Sequence, residues 1–273
     1  MFSKKTESPL FKHFILTRFN LPFSVEHLKK DKLSKPVCDS DWMRHRFDLF
    51  ERYCLPSIKN QTCQNFEWLV FFSEHTADED RKRIEACQKK YPRLIPDFMG
   101  IHNLVDVVRK RAASVPYLIT TRLDNDDALR RDAVAVTQAA FKRQSFEFVN
   151  FQKGYKFDLK TGRFYPHQDE IGHFMTLIEK KRGNFKTVFL APHQEVGKHG
   201  LIKQLSGGRY WAEVIHDRNL INEIPEGAAP QAAPLGFFER AAAACFEAAK
   251  GWRREALMKS FCFAGAVRGG KLF

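Results

Sequence analysis

The stretch YLITTRLDNDDAL, Tyr117 to Leu129, runs from an apolar, β-branched segment straight into three carboxylates within four residues, Asp124, Asp126 and Asp127. Its first half predicts a buried strand. Its second half predicts a site, because carboxylates this close repel one another and are costly beside a buried strand unless a cation neutralises them. With 45 Lys and Arg against 32 Asp and Glu, the chain carries a formal charge of +13 and has no general excess of acids to account for the cluster. The nature of the neutralising cation is therefore the question on which function turns.

Working outward, HFILTRFN (13–20), FEWLVFFSE (66–74) and RLIPDFMG (93–100) read as earlier strands, and FEFVNFQKGYKFD (146–158) as a later one ending at the turn KTGR. KTVFLAPH (186–193) and RYWAEVIHDRNL (209–220) complete the strand candidates. Between them, DWMRHRFDLFERYCLPSIKNQ predicts a helix ending at Pro56, and TADEDRKRIEACQKKYP one capped by Thr76 and closed at Pro92. NLVDVVRKRAAS reads as a further helix. ALRRDAVAVTQAAFKRQ, directly after the acids, has the clearest helical character of all. Strands alternating with helices predict a three-layer α/β sandwich with a mostly parallel central sheet.

The expected organisation is one α/β domain over residues 1–225, an Ala/Pro/Gly linker over 226–236, and a basic amphipathic helical tail over 237–273. Such a tail packs on its own domain or on a second subunit, or lies on an anionic membrane. At 44% hydrophobic and 28% charged residues the composition is that of a globular chain and excludes extended disorder. The six cysteines form no C-x-x-C pair, which points to a reducing compartment. The first residues lack an apolar signal region and no apolar run is long enough to span a bilayer, so a cytoplasmic location is expected, with peripheral contact at the inner membrane face through the tail.

In open α/β sheets ligands collect beyond the carboxyl ends of strands, where RLDNDD lies. Carboxylates there are hard oxygen ligands for Mg²⁺ or Mn²⁺ held together with substrate phosphates. Other readings compete. Asp126 or Asp127 could cap the alanine-rich helix. A calcium loop fits poorly, lacking a glycine at Leu129 and an acid at Ala135. A haloacid-dehalogenase-like phosphatase would use Asp124 as nucleophile and Asp126 as acid, but that fold carries its D-x-D on the first strand. The charge alone would also suit a basic nucleic-acid-binding protein, although no recognised binding motif is present and no nucleic acid is expected as a partner.

A strand followed by D-x-D resembles the GT-A-type nucleotide-sugar glycosyltransferases. Together, ILTRFN, WMRHRFDLFERYCLPSIKNQ, FEWLVFF, YLITTRLDNDDAL, FVNFQKGY and WAEVIHDRNL resemble the bacterial rhamnosyltransferase family, close to the family-two glycosyltransferases, from about Phe14 to Leu220. The resemblance implies a GT-A-like fold and a nucleoside diphosphate sugar as donor. It implies transfer of the sugar, rhamnose on the family's label, to a saccharide or lipid-linked acceptor in surface polysaccharide synthesis. By analogy Asp126 is the first metal ligand, with Asp124 on the ribose or sharing the ion. Asp127 stands behind them or caps the helix. His216 is a further candidate ligand, or a histidine satisfied by hydrogen bonds beside Asp217. Arg18 and Arg122 end strands on the ligand rim and could grip a diphosphate bidentately, or pair with the nearby acids. Asn20 is a candidate for the base. For an acceptor-activating base, Glu195 heads a group that includes His193, Asp169 and Glu170.

Overall fold

The computed structural model describes residues 9–21, 30–99, 104–220 and 222–231. The apolar, β-branched runs form β1 (Phe11–Arg18), β2 (Glu67–Phe72), β3 (Leu94–Phe98) and β4 (Tyr117–Arg122). These alternate with the helices α1 (Ser40–Leu49), α2 (Leu55–Lys59), α3 (Asp78–Lys90) and α4 (Leu104–Arg111). The second half adds β5 (Ala128–Leu129), α5 (Ala133–Ala139), β6 (Phe146–Asp158), β7 (Arg163–Gln168), β8 (Met175–Lys180) and β9 (Ile202–Ile215). The strands form one sheet in the order β3-β2-β1-β4-β8-β6-β9-β5, with β7 paired to β6.

Successive side chains of β1 and β2 point to opposite faces, and both faces are covered. Ile15, Trp68, Val70 and Phe72 pack with Trp42, Phe47, Phe50, Ile58 and Ile84 from the helices on one side. Phe14, Leu16, Leu69, Phe71 and Leu118 pack on the other with Leu104 and Val108 of α4 and with Phe185 and Val188. This is the expected α/β sandwich. Its sheet is mixed: β3, β2, β1 and β4 run parallel, whereas β8 is antiparallel to both β4 and β6.

Several local expectations are corrected. Pro56 does not end the first helix, because residues Phe50–Cys54 widen into a π turn and α2 continues with the proline at its start. Thr76 is not a cap: its hydroxyl donates to Ser73 O at 2.7 Å, and Ala77 precedes α3. KTVFLAPH is not a strand. The Glu179 carboxylate accepts from the N–H groups of Lys186 and Thr187, both at 2.9 Å, and Thr120 Oγ1 accepts from that of Val188 at 2.8 Å. With those donors taken by side chains, the segment turns into a short 3₁₀ helix, Val188–Leu190. The alanine-rich helix starts only at Ala133, since Ala128 and Leu129 pair with Ala212 and Trp211 at the sheet edge. Its cap position is Asp132, so neither Asp126 nor Asp127 caps it. The tail expected over 237–273 lies outside the described residues, as do residues 232–236 of the linker.

Gly154 in β6 marks the tightest contact in the second half. A Cβ there would lie 2.0 Å from the ring of Trp211, which is buried, stacked on Phe174 and donating Nε1–H to Phe151 O at 2.7 Å. Gly154→Ala is therefore expected to destabilise the fold by about 3 kcal/mol, read as a lower denaturation midpoint with an unchanged urea m-value.

Candidate functional site

β1 and β4 lie side by side and in parallel, and both end at an arginine, Arg18 and Arg122. Beyond these ends the chain turns through Asp124–Asp127, with Asp127 N donating to Asp124 O at 3.3 Å. A cleft of about 650 Å³ opens there. Arg18, Arg122, Asp124 and Asp126 line its inner wall, Lys156, Trp211 and Glu213 the wall built by β6 and β9, and Asp169, His173 and His193 the loops over it.

Each acid of the cluster has a protein cation beside it. Arg122 grips Asp124 bidentately, Nε to Oδ1 at 3.0 Å and Nη2 to Oδ2 at 2.9 Å. Burial pushes the Asp124 carboxyl up, but the charge of Arg122, with His173 and Arg18 behind it, holds it below the ordinary carboxylate range. Asp126 Oδ2 accepts from Arg46 Nη1 and from His216 Nε2, the latter at 3.1 Å. Burial again opposes ionisation, and Arg46 and His216 together overcome it and hold that carboxyl low. Arg46 also donates to Asn125 Oδ1 at 3.2 Å, while Asn125 Nδ2 donates to Phe19 O at 3.0 Å, which ties the turn to the end of β1. Asp127 lies deepest, at 2% exposure; it accepts from Val214 N at 2.9 Å and pairs with His173 Nε2 at 3.0 Å. Burial would lower the His173 pKa, but the hydrogen bond and charge of Asp127 raise it to about 9. The cations on the acids are thus two guanidiniums and an imidazolium.

Of the residues expected from sequence, Arg18, Arg122, Asp124 and Asp126 meet at the cleft. Asp127 sits behind it. Asn20 does not face it: its amide donates to Thr76 Oγ1 at 3.1 Å and accepts from Ser73 N at 3.0 Å, so it braces the turn after β2. Glu195 is exposed outside the cleft, 3.5 Å from Lys198, whereas His193 and Asp169 from the same group of candidates do line it. His216 is joined to Asp126 but is buried behind the cleft wall. Sequence reasoning missed Arg46 and His173. Arg46 sits in an amphipathic helix among other charges, and His173 in a segment with no motif, so only the three-dimensional pairing singles them out.

The expected metal pair Asp126 and His216 does not fit a divalent ion, because the Asp126 oxygen facing His216 already carries the Arg46 guanidinium. Ligand atoms of Asp124, Asp127 and His173 also lie within 4.8 Å of one another, but Arg122 holds both Asp124 oxygens and His173 pairs with Asp127, so an ion there would have to displace these contacts. The phosphatase alternative is contradicted on two counts. The acids follow the fourth strand, and Asp126, which would be the acid, is paired with Arg46, whose charge lowers its pKa.

A family model described as "putative rhamnosyl transferase" matches residues 12–227. No curated protein matches the chain. Among solved structures, S. aureus TarS 1-349 is similar at 9% identity and a TM-score of 0.39, over 74% of this chain and 60% of that one. The same protein in complex with UDP-GlcNAc is similar at 10% identity and a TM-score of 0.39, over 75% of this chain and 59% of that one. A cytidylyltransferase from Leptospira borgpetersenii serovar Hardjo-bovis is similar at 13% identity and a TM-score of 0.37, over 74% of this chain and 78% of that one. The chain therefore spans about 60% of the length of the TarS 1-349 chain it matches.

Removing one partner of a buried ion pair leaves an uncompensated charge. Arg46→Met is expected to cost about 3–5 kcal/mol, and the double variant Arg46→Met/Asp126→Leu to recover most of that loss, as read from denaturant midpoints. Because the folded Asp126 pKa lies below its ordinary value of 3.8, the stability it contributes is present above that value and is lost as pH falls through the folded pKa. The double variant should lose that acid dependence, whereas Arg46→Met, which leaves His216 on Asp126, should only reduce it.

Proposed function

The chain belongs to the rhamnosyl transferase family matched above, and so to the glycosyltransferases; from that premise we propose that it moves a sugar from a nucleoside diphosphate sugar to a hydroxyl of a saccharide or lipid-linked acceptor. The sugar is rhamnose on the family's description. The observation that carries this reading is the convergence of Arg18, Arg122 and His193 with Asp124 in a cleft beyond the carboxyl ends of parallel strands.

The chemistry follows from charge. When the glycosidic bond to the diphosphate breaks, negative charge grows on the leaving oxygens, and fixed cations stabilise it more than they stabilise the bound donor. Arg122 is held in plane by its two bonds to Asp124, leaving the Nη1 edge toward His193 Nδ1 at 3.3 Å. Arg18 lies against the ring of Phe189, its guanidinium 4.7 Å from the ring centroid, and has no hydrogen bond to Asp124 to hold it from a phosphate. Asp124 would thus both orient Arg122 and remain near the ribose or diphosphate. A Mg²⁺ or Mn²⁺ ion held by Asp124, Asp127 and His173 would add Lewis-acid stabilisation of the same leaving group.

For the acceptor hydroxyl, Asp169 replaces Glu195 as the assigned general base, because it lines the cleft and Glu195 does not. Its Oδ1 is fixed by Ile171 N–H at 3.0 Å, which orients the carboxylate without neutralising it. Trp211 and Phe174, stacked with ring centroids 4.9 Å apart, supply an apolar floor for a sugar ring. The nucleic-acid alternative is carried by net charge alone and finds no aromatic and basic stripe in this site.

Among the described residues no helix is long and apolar enough to cross a membrane.

Titration calorimetry with nucleoside diphosphates, with and without Mn²⁺ or Mg²⁺, tests the donor site. Arg18→Gln and Arg122→Gln are each expected to weaken binding at least about tenfold, consistent with the loss of one charged hydrogen bond. Wild-type affinity in both variants, or no nucleotide bound by the wild type under either condition, would refute the donor site. In a transfer assay Asp169→Asn is expected to lower kcat by about 10²-fold or more with donor KM little changed.

A further inference from the structure

We propose that His45, His216 and Asp217 form a second metal site, outside the cleft, that takes a zinc-class divalent ion and staples α1 to the loop after β9. It stands apart from the donor reading above and needs none of the cleft residues as ligands. One ligand atom from each of the three residues lies within 4.8 Å of the others. His45 Nε2 and His216 Nδ1 are 3.2 Å apart. Two nitrogens bound at about 2.0–2.1 Å to one tetrahedral ion are separated by about 3.3 Å, so the rings are already at the spacing that a shared metal imposes.

The surroundings match the requirements of such an ion. His216 keeps Nδ1 free of its own proton if Nε2–H donates to Asp126 Oδ2 at 3.1 Å. A ligating histidine whose other ring nitrogen donates to a carboxylate is the usual arrangement around a metal, because it fixes the tautomer and raises ligand basicity. With His216 Nδ1 unprotonated, the 3.2 Å contact is a hydrogen bond from His45 Nε2–H, so an ion taking that place shifts the His45 proton to Nδ1 of the same ring. Asp217 is exposed and half-buried His45 borders it, which leaves a path for the ion and room for a water in the fourth position. The Arg218 N–H, 3.2 Å from His216 Nδ1, is the contact an ion would displace, and the Arg218 guanidinium is turned away to Asp31 at 2.6 Å.

The donor set, two imidazoles and one carboxylate, suits Zn²⁺, Co²⁺ or Ni²⁺ better than Mg²⁺. An ion bound there would lock the Nε2–H of His216 onto Asp126. His45 and Arg46 are neighbours on α1, so the same staple would hold Arg46 against the floor of the cleft.

The test uses the untagged full-length chain titrated with Co²⁺ and followed by visible ligand-field absorption, which reports tetrahedral coordination independently of any activity. The wild type is expected to develop these bands. His45→Ala is expected to abolish them, and Asp217→Asn, at an exposed position that leaves the fold intact, to weaken the Co²⁺ affinity at least tenfold. Asp124→Asn, in the cleft, is expected to keep them at wild-type affinity. Absence of tetrahedral bands in the wild type, their persistence in His45→Ala, unchanged affinity in Asp217→Asn, or their loss in Asp124→Asn would each overturn the proposal. Nucleotide binding measured on the same variants separates this outcome from failure of the donor site.

Discussion

The buried contact of Arg46 with Asp126 organises the centre of this protein. Both residues are nearly inaccessible to water, at 6% and 5% exposure, and they come from segments eighty positions apart. The pair fastens α1 to the turn after β4. Through His216 it also reaches the end of β9, and through Asn125 the end of β1. A buried charge pair contributes little net stability compared with apolar packing of the same volume, but it is intolerant of a missing partner. Its structural consequence is specificity: three strand ends and a helix meet in one arrangement, because any other leaves a charge unpaired.

That arrangement makes the cleft. The parallel half of the sheet supplies two adjacent carboxyl ends, each finishing in an arginine, and the acids that follow would repel one another without cations of their own. Arg122 satisfies Asp124 and His173 satisfies Asp127, so the carboxylates orient the cationic groups as much as the cations neutralise the acids. Beyond the antiparallel β8, the parallel pair β6 and β9 builds another wall of the cleft. β6 and β9 press Trp211 against Gly154 and Phe174, which brings an aromatic pair and the Lys156–Glu213 pair into the lining of the same cleft as the arginines. The cleft is thus lined by cationic side chains from the strand ends and by aromatic and charged ones from β6, β9 and the loop before β8.

The strands at 11–18, 67–72, 94–98 and 117–122 were legible because each is a short apolar run bounded by polar residues, and a strand covered on both faces has no other way to be written. The acid cluster was legible for a related reason: repelling charges beside a buried strand demand compensation, whatever the fold. β7 and β8 were not legible, nor was the shortening of α5, because pairing with distant strands overrode weak local preferences. The segment at 186–193 reads as a strand until Glu179 and Thr120 claim its N–H groups, a contact no local pattern contains.

Taken by itself, the amino-acid sequence determined that this is an α/β protein with a charged site at the carboxyl end of its fourth strand, since periodicity and mutual repulsion are local properties. Only the tertiary structure decided which cations answer those acids. Arg46, His173 and His216 are distant in the chain from the carboxylates they meet, and an ion pair between remote segments depends on geometry that folding alone creates. For the same reason Asn20 and Glu195, plausible by position, turn out to face elsewhere, while Asp169 arrives at the cleft on a loop with no signature.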